Sequence, residues 1–562
     1  MRLEVHYGSS LRGTQDGRVF TRQGVLGGGA THRLSFLVPL PADARLLDLS
    51  VSSQGVELAR QSVDLRPQMT RDRIIAAIAG ELSLDSIAGL SDDTGNVRVV
   101  YPRIDDLPDT WAAWDGIDMV VVHDTYFQQL RASQVSALER WVVSGGTVVF
   151  TGGAAGLSHA DAGLARLLPV SVTGLTTRGA LPSVARLAGV PRAPRGTIVL
   201  ADARVSEGEI LAGDADLPLI VERRLGRGAV WFIAFDPTLA PFPGWEGMLP
   251  LWRLIASKDR QPTLLAESCA PLDDPWMRVM IGSPALALPS VFFLFIFAGC
   301  YCALLFPLLG GRFLRGMKSG LRIALLLVIP LLACSGGWIF FNTVFFRAGP
   351  RALDAALVEM RSGDGLALVT ERIGIVTSRA GVVDVFAGTH DLPVDELSLR
   401  LVGSAARNAH PAGFTVSLDG TAHITSVALD RYGSRLLVLH DVMPMPVTAR
   451  AARTGSVVSV TVSNASARVL LGCFFWTGSM GYRLGDIPPN ARVSRSFETE
   501  DSVDPRVVDD PTRAALWSLL SQGVSGPVIA GWLDGSPLPL AFRGADPVSG
   551  VPSLSLVLVE PE

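Results

Sequence analysis

His123, Asp124, Thr151, Gly152, Gly153 and Asp236 are the residues whose types and placement could do chemistry together in this sequence. Each ends or follows a short apolar run: Asp118-Met-Val-Val-Val-His123, Thr147-Val-Val-Phe-Thr151 and Gly228-Ala-Val-Trp-Phe-Ile-Ala-Phe235. If these runs are strands of one parallel sheet, their carboxyl ends open on the crevice where open α/β sheets bind ligands. Asp124, Asp236 and the Thr151 hydroxyl around a glycine pair would there make a ligand-binding or hydrolytic crevice. Thr151 could attack a carbonyl, but the sequence places no base beside it. The plainer reading is the stronger: the two aspartates cap loops or helix starts, and Gly152-Gly153 permit a tight turn.

Other chemistry falls away quickly. Cys300 and Cys302 are two residues apart in an apolar run, so on a helix they share no face, and the 8 histidines have no ligand spacing. No metal and no cofactor is expected. Of the 5 cysteines, Cys300, Cys302 and Cys334 lie in apolar runs, which leaves only Cys269 and Cys473 in segments that could face water and excludes a disulfide framework. Lys and Arg total 49 against 53 Asp and Glu, with no long basic block, so nucleic acid is excluded as a partner. Phe242-Pro-Gly-Trp-Glu246, and Trp476 with Tyr482, read as packing aromatics rather than as docking or carbohydrate surfaces.

The elements that must position these residues are strands and helices in several units. A chain of 562 residues is too long for one core, and 48% hydrophobic against 18% charged residues excludes disorder. Residues 1–66 alternate apolar and polar side chains, as in an incomplete β-sandwich. Residues 67–262 change to apolar runs separated by helical stretches: Arg73-Ile-Ile-Ala-Ala-Ile and Val97-Arg-Val-Val-Tyr join the runs above as buried parallel strands. Between two of them a helix is predicted over 133–144, with Val135, Leu138, Trp141 and Val142 on one face, Ser133 as cap and Gly145-Gly146 as stop. A further helix is predicted over 248–257. Residues 350–562 return to short β runs punctuated by Gly, Asn and Pro, with one short helix over 510–520.

The α/β stretch resembles the class I glutamine amidotransferase-like superfamily, in the variety found in bacterial membrane proteins. The resemblance rests on Trp114-Asp-Gly-Ile-Asp-Met-Val-Val-Val-His-Asp, Leu138-Glu-Arg-Trp-Val-Val-Ser-Gly-Gly-Thr-Val-Val-Phe-Thr-Gly-Gly and Gly226-Arg-Gly-Ala-Val-Trp-Phe-Ile-Ala-Phe-Asp-Pro. It implies a flavodoxin-like domain over 67–262. Active members carry a Cys on a strand-to-helix elbow and a His in a late His-Pro-Glu sequence. Here Phe150-Thr-Gly-Gly-Ala-Ala-Gly156 and Asp236-Pro237-Thr238 stand in those places, so no enzyme is expected. Val458-Ser-Val-Thr-Val-Ser-Asn-Ala-Ser with Tyr482-Arg-Leu-Gly-Asp-Ile-Pro-Pro resembles adhesin-like sandwich modules of exported bacterial proteins.

Residues 286–309 and 323–346 are each 24 residues without a formal charge, long enough as helices to cross a hydrocarbon layer of about 30 Å. The connection holds Arg312, Arg315, Lys318 and Arg322 and no acid, which by the positive-inside rule sets it in the cytoplasm and the large regions outside. Met1-Arg-Leu-Glu-Val-His-Tyr7 has no apolar export segment, so a signal segment is expected to be missing ahead of it. The expectation is therefore a multidomain α/β plus all-β protein with a two-helix transmembrane hairpin, integral to a bacterial inner membrane. Its partners would be the lipid bilayer and other envelope proteins, including those of a transport assembly, and its role a non-catalytic scaffold or accessory component.

Overall fold

The computed structural model describes residues 2–9, 15–25, 29–31, 44–66, 72–79, 84–90, 96–123, 130–160 and 164–257, scattered positions from 295 to 339, then 349–377, 380–387, 394–397, 415–417, 423–429, 434–478, 480–501, 526–547 and 554–561. Strands dominate them.

In the α/β unit seven strands form one sheet, in the order Glu209–Gly213, Pro218–Leu225, Gly228–Ile233, Thr147–Thr151, Met119–Val122, Arg73–Ile78, Val97–Val100. From Gly228–Ile233 to Val97–Val100 every neighbouring pair is parallel, and the two strands before Gly228 add an antiparallel edge. Met119–Val122 and Gly228–Ile233 are buried along their whole length. Both faces of the sheet are covered, which is why these strands read as unbroken apolar runs rather than as alternation. Helix Ala132–Val143 supplies Leu138, Trp141 and Val142 to the core, and helix Met248–Ser257 supplies Leu251, Trp252 and Ile255.

The first helix starts differently from the cap read at Ser133. Its entry is held by Gln134, whose Oε1 accepts the Arg131 N–H at 2.9 Å while its Nε2 donates to the carbonyls of Ile104 at 2.8 Å and Leu107 at 2.9 Å. A buried amide thus ties the helix start to the preceding loop. Gln134→Ala should cost about 1–2 kcal/mol in urea unfolding, because it strands carbonyls as well as a helix N–H. At the other end Gly145 takes φ +126° and the Gly146 N–H returns to the Trp141 carbonyl at 3.0 Å. Gly146 is required there: a Cβ would lie 2.4 Å from the Trp141 ring.

The β regions share their sheets. An eight-stranded sheet runs Leu540–Arg543, Gly381–Ala387, His423–Leu429, Thr415–Ser417, Gln15–Gln23, Arg2–Ser9, Ala44–Ser53, Val56–Asp64. Its joint is parallel, Val19 beside Thr415 and Thr21 beside Ser417. Residues 1–66 and 350–562, two β units in the sequence, therefore meet in one sheet, and Phe20 is buried in the same core as Val358, Val369, Ile424 and Leu437. The facing sheet is built on Arg351–Arg361, Leu366–Val376, Ser434–Pro444, Val528–Asp534 and Leu554–Glu560. Leu368 and Val442 from it are buried in the core of the α/β unit, so the two units are in contact.

The transmembrane hairpin expected over 286–309 and 323–346 is corrected: among the described residues no helix is long and apolar enough to cross a membrane. What is described there is helical positions such as Phe295, Ile296, Leu331 and Leu332, and the rest of both runs lies outside the described residues. Freedom from charge records aversion to water, whereas a spanning helix also needs an unbroken i to i−4 ladder. Absence of charge does not by itself supply that ladder. The fold class is accordingly a mostly β chain with an α/β unit, and the placement as an integral protein of a bacterial inner membrane is corrected with it. Arg312, Arg315, Lys318 and Arg322, on which the orientation was based, lie outside the described residues, as do Cys269 and the helix read over 510–520.

Candidate functional site

His123 and Thr151 come together because their strands are parallel neighbours. Val122 pairs with Phe150, so the next residue of each strand emerges at the same edge of the sheet. The His123 N–H continues the ladder to the Ile78 carbonyl at 2.9 Å, and its Nδ1 stands 2.7 Å from Thr151 Oγ1. The hydroxyl is also 3.4 Å from the Val122 carbonyl, so Thr151 bridges the ends of two strands. Asp236 arrives from the strand on the other side, where Ile233 pairs with Thr151. Its Oδ1 is 3.9 Å from His123 Nε2, beyond hydrogen-bond range. That oxygen instead accepts the Thr238 N–H at 2.8 Å and the Thr238 hydroxyl at 2.6 Å. This is the local turn made by an aspartate that caps its own loop.

Gly152 and Gly153 complete the group. Their N–H groups reach Phe235 at 3.3 Å and Ala234 at 3.0 Å. Backbone lies so close that a Cβ on Gly152 would sit 2.5 Å from the carbonyl carbon and oxygen of Ala234. Gly153 adopts φ +69°, a conformation that disfavours any residue with a side chain.

His123, Thr151, Gly152, Gly153 and Asp236 are thus gathered at one edge, while Asp124 lies outside the described residues. The imidazole beside Thr151 was missed in the sequence, where no base was placed; the signal was there in the strand ends, one residue past Val122 and Phe150. Chemically, a hydroxyl 2.7 Å from an imidazole nitrogen can exchange a proton with it. Attack on a substrate also needs access, and Thr151 is 0% exposed and His123 4%. Among the described residues no cluster could hold a metal ion.

The remaining sequence candidates are structural. Phe242 stacks on Phe235 at 4.1 Å, and Trp245 Nε1 donates to the Arg192 carbonyl at 2.7 Å. Tyr482 is buried between Phe475 and Phe497. Cys473, read as facing water, is fully buried, and burial pushes its thiol up to about 12.

No protein-family model matches this chain, and neither does any curated protein. Among solved structures, an exo-β-1,4-mannosidase from Opitutaceae bacterium strain TAV5 is 13% identical over 34% of this chain and 37% of its own, with a TM-score of 0.24. The chain thus spans little more than a third of that enzyme. The Fcho1 mu-homology domain of Danio rerio with a bound Eps15 peptide is 11% identical over 38% of this chain and 97% of its own, at 0.21. The yeast delta-COP-I mu-homology domain, complexed with a Dsl1 peptide, is 8% identical over 38% and 96%, also at 0.21. TM-scores this low assign neither a fold nor a ligand to the chain.

Proposed function

We propose that this protein is a non-catalytic scaffold or binding component of a larger assembly, with the α/β unit serving as a structural body. The observation that carries this reading is the closed elbow after the strand Thr147–Thr151. The hydroxyl is sealed from solvent, and Gly152 is pressed against the Ala234 backbone where a nucleophile would have to project. A side chain with no path to solvent cannot meet a substrate, whatever its proton partner. The contact of the α/β unit with the β sheet through Leu368 and Val442 suits a body that holds parts together.

A second reading, hydrolysis, is favoured by one contact, Thr151 Oγ1 to His123 Nδ1 at 2.7 Å. One assay separates the two. Incubated with glutamine and with an activated ester, the protein should give no turnover above buffer, and Thr151→Val should leave that unchanged while lowering the unfolding midpoint. Turnover abolished by Thr151→Val and by His123→Ala would replace the scaffold reading with the hydrolytic one.

A further inference from the structure

We infer that the turn Gly226-Arg227 is a proton-controlled clamp between the α/β unit and the β unit, with Asp364 as the group whose ionisation releases it. One side of the turn is fixed to the α/β unit. Gly226 has φ +56°, a Cβ on it would lie 2.6 Å from the Val143 carbonyl, and the Arg227 N–H donates to that same carbonyl at 3.0 Å. On Gly228 a Cβ would meet the carbonyls of Val142 and Gly146 at 2.1 and 2.2 Å, so the turn cannot slide along the helix end.

The other side of the turn reaches the β unit. The Gly226 N–H donates to Asp364 Oδ2 at 2.7 Å, and the Arg227 guanidinium pairs with Glu359. The Glu359 side chain is 3% exposed and that of Arg227 16%, so the carboxylate is buried and the guanidinium mostly so. Beside the clamp lies a cavity of about 590 Å³ walled by both units. Glu139, Arg166, Glu207 and Arg223 enter it from the α/β side, and Asp364 with Leu366 from the β side.

Asp364 is where ionisation matters. Arg223 is already engaged, donating to Glu207 at 2.6 Å and to the Arg166 carbonyl at 2.6 Å. Burial in the contact pushes the Asp364 carboxyl up to about 6, against the pull of the Gly226 N–H, Arg223 and Arg361, with Glu207 adding to the rise. In the released state the group returns to the ordinary 3.8. The closed clamp therefore holds its proton over a range in which the open one has lost it. Opening should grow with pH from about 4 to 6 and level off above 7, by roughly a hundredfold in all.

The test is hydrogen exchange, read by mass spectrometry on the intact protein at pH 4 to 8 and corrected for intrinsic rates. The Gly226 amide exchanges only when its bond to Asp364 breaks. In the wild type the opening constant for the segment around Gly226 should rise about a hundredfold and then flatten. Asp364→Asn should hold it constant across the range. The double variant Arg227→Met/Glu359→Gln, which removes the neighbouring pair but keeps Asp364, should open more at every pH with the wild-type slope. A flat wild-type profile, a slope that survives in Asp364→Asn, or one lost in the double variant would overturn the proposal.

Discussion

Glu371→Gln should stabilise the β unit by about 4 kcal/mol at pH 8.5 and by almost nothing at pH 4. Glu371 lies in the strand Leu366–Val376 opposite Leu439 and is 0% exposed. Its Oε2 accepts the Ser536 hydroxyl at 2.6 Å, while Oε1 has no hydrogen-bond partner among the described residues. Burial pushes the carboxyl from 4.5 up to about 8; the Ser536 bond opposes this and Asp354 adds to it. The sign follows from proton counts. Between about 4.5 and 8 the folded protein keeps a proton that the unfolded chain has lost, so wild-type stability falls as pH rises through that window and levels off above it. Glutamine keeps an acceptor for Ser536 and carries no charge at any pH. Asp364 gives both proteins a fall in stability between pH 4 and 6, so urea unfolding is compared at pH 6 and 8.5, where the wild type should lose further stability that the variant largely keeps. An equal slope in both would mean that Glu371 is not the group responsible.

A thiol at Gly152, in the elbow after Thr147–Thr151, should break the protein rather than awaken it. Gly152→Cys places a Cβ about 2.5 Å from the Ala234 carbonyl, with Ile233 O at 2.7 Å behind it, and both are buried backbone, the last residue of the strand Gly228–Ile233 and the one after it. The expected loss is about 3 kcal/mol or more, since neither neighbour can swing aside as a flexible side chain would. No ester or glutamine hydrolysis should accompany it. Ala154→Cys, at an exposed position two residues on, should fold with wild-type stability and serves as the control. A Gly152→Cys protein with an unchanged urea midpoint would show that the elbow can open.

How far the sequence could be read depended on whether a feature was local. Met119–Val122 and Gly228–Ile233 were legible because strands covered on both faces leave unbroken apolar runs. The helix Ala132–Val143 was legible from Leu138, Trp141 and Val142, and its stop from Gly145-Gly146. Its start was misplaced because Gln134 acts through carbonyls roughly 30 residues away. The meeting of His123 with Thr151 needed strand neighbours as well as strands. Cys473 was misread because the pairing register shifts between Leu470 and Cys473 and Gly472 takes φ +53°, which breaks the alternation that assigns a face. The pairing of Gln15–Gln23 with Thr415–Ser417 left no trace in composition, since a strand pattern names no partner. The two long apolar runs were read from length and lack of charge, which do not by themselves specify a spanning helix.

That last pairing bears on how the molecule assembles during synthesis. Val19 and Thr415 lie about 400 residues apart along the chain, so their contact is of very high sequence separation and forms late. The α/β sheet has all its strands once the chain from Arg73 to Ile233 is made. Arg2–Ser9 finds both its neighbours, Gln15–Gln23 and Ala44–Ser53, nearby in the chain, but the outer edge of Gln15–Gln23 must wait for Thr415–Ser417 while the α/β unit folds between them. An open strand edge is an invitation to pair wrongly. Until Thr415–Ser417 is made, the outer edge of Gln15–Gln23 is thus left open to wrong partners.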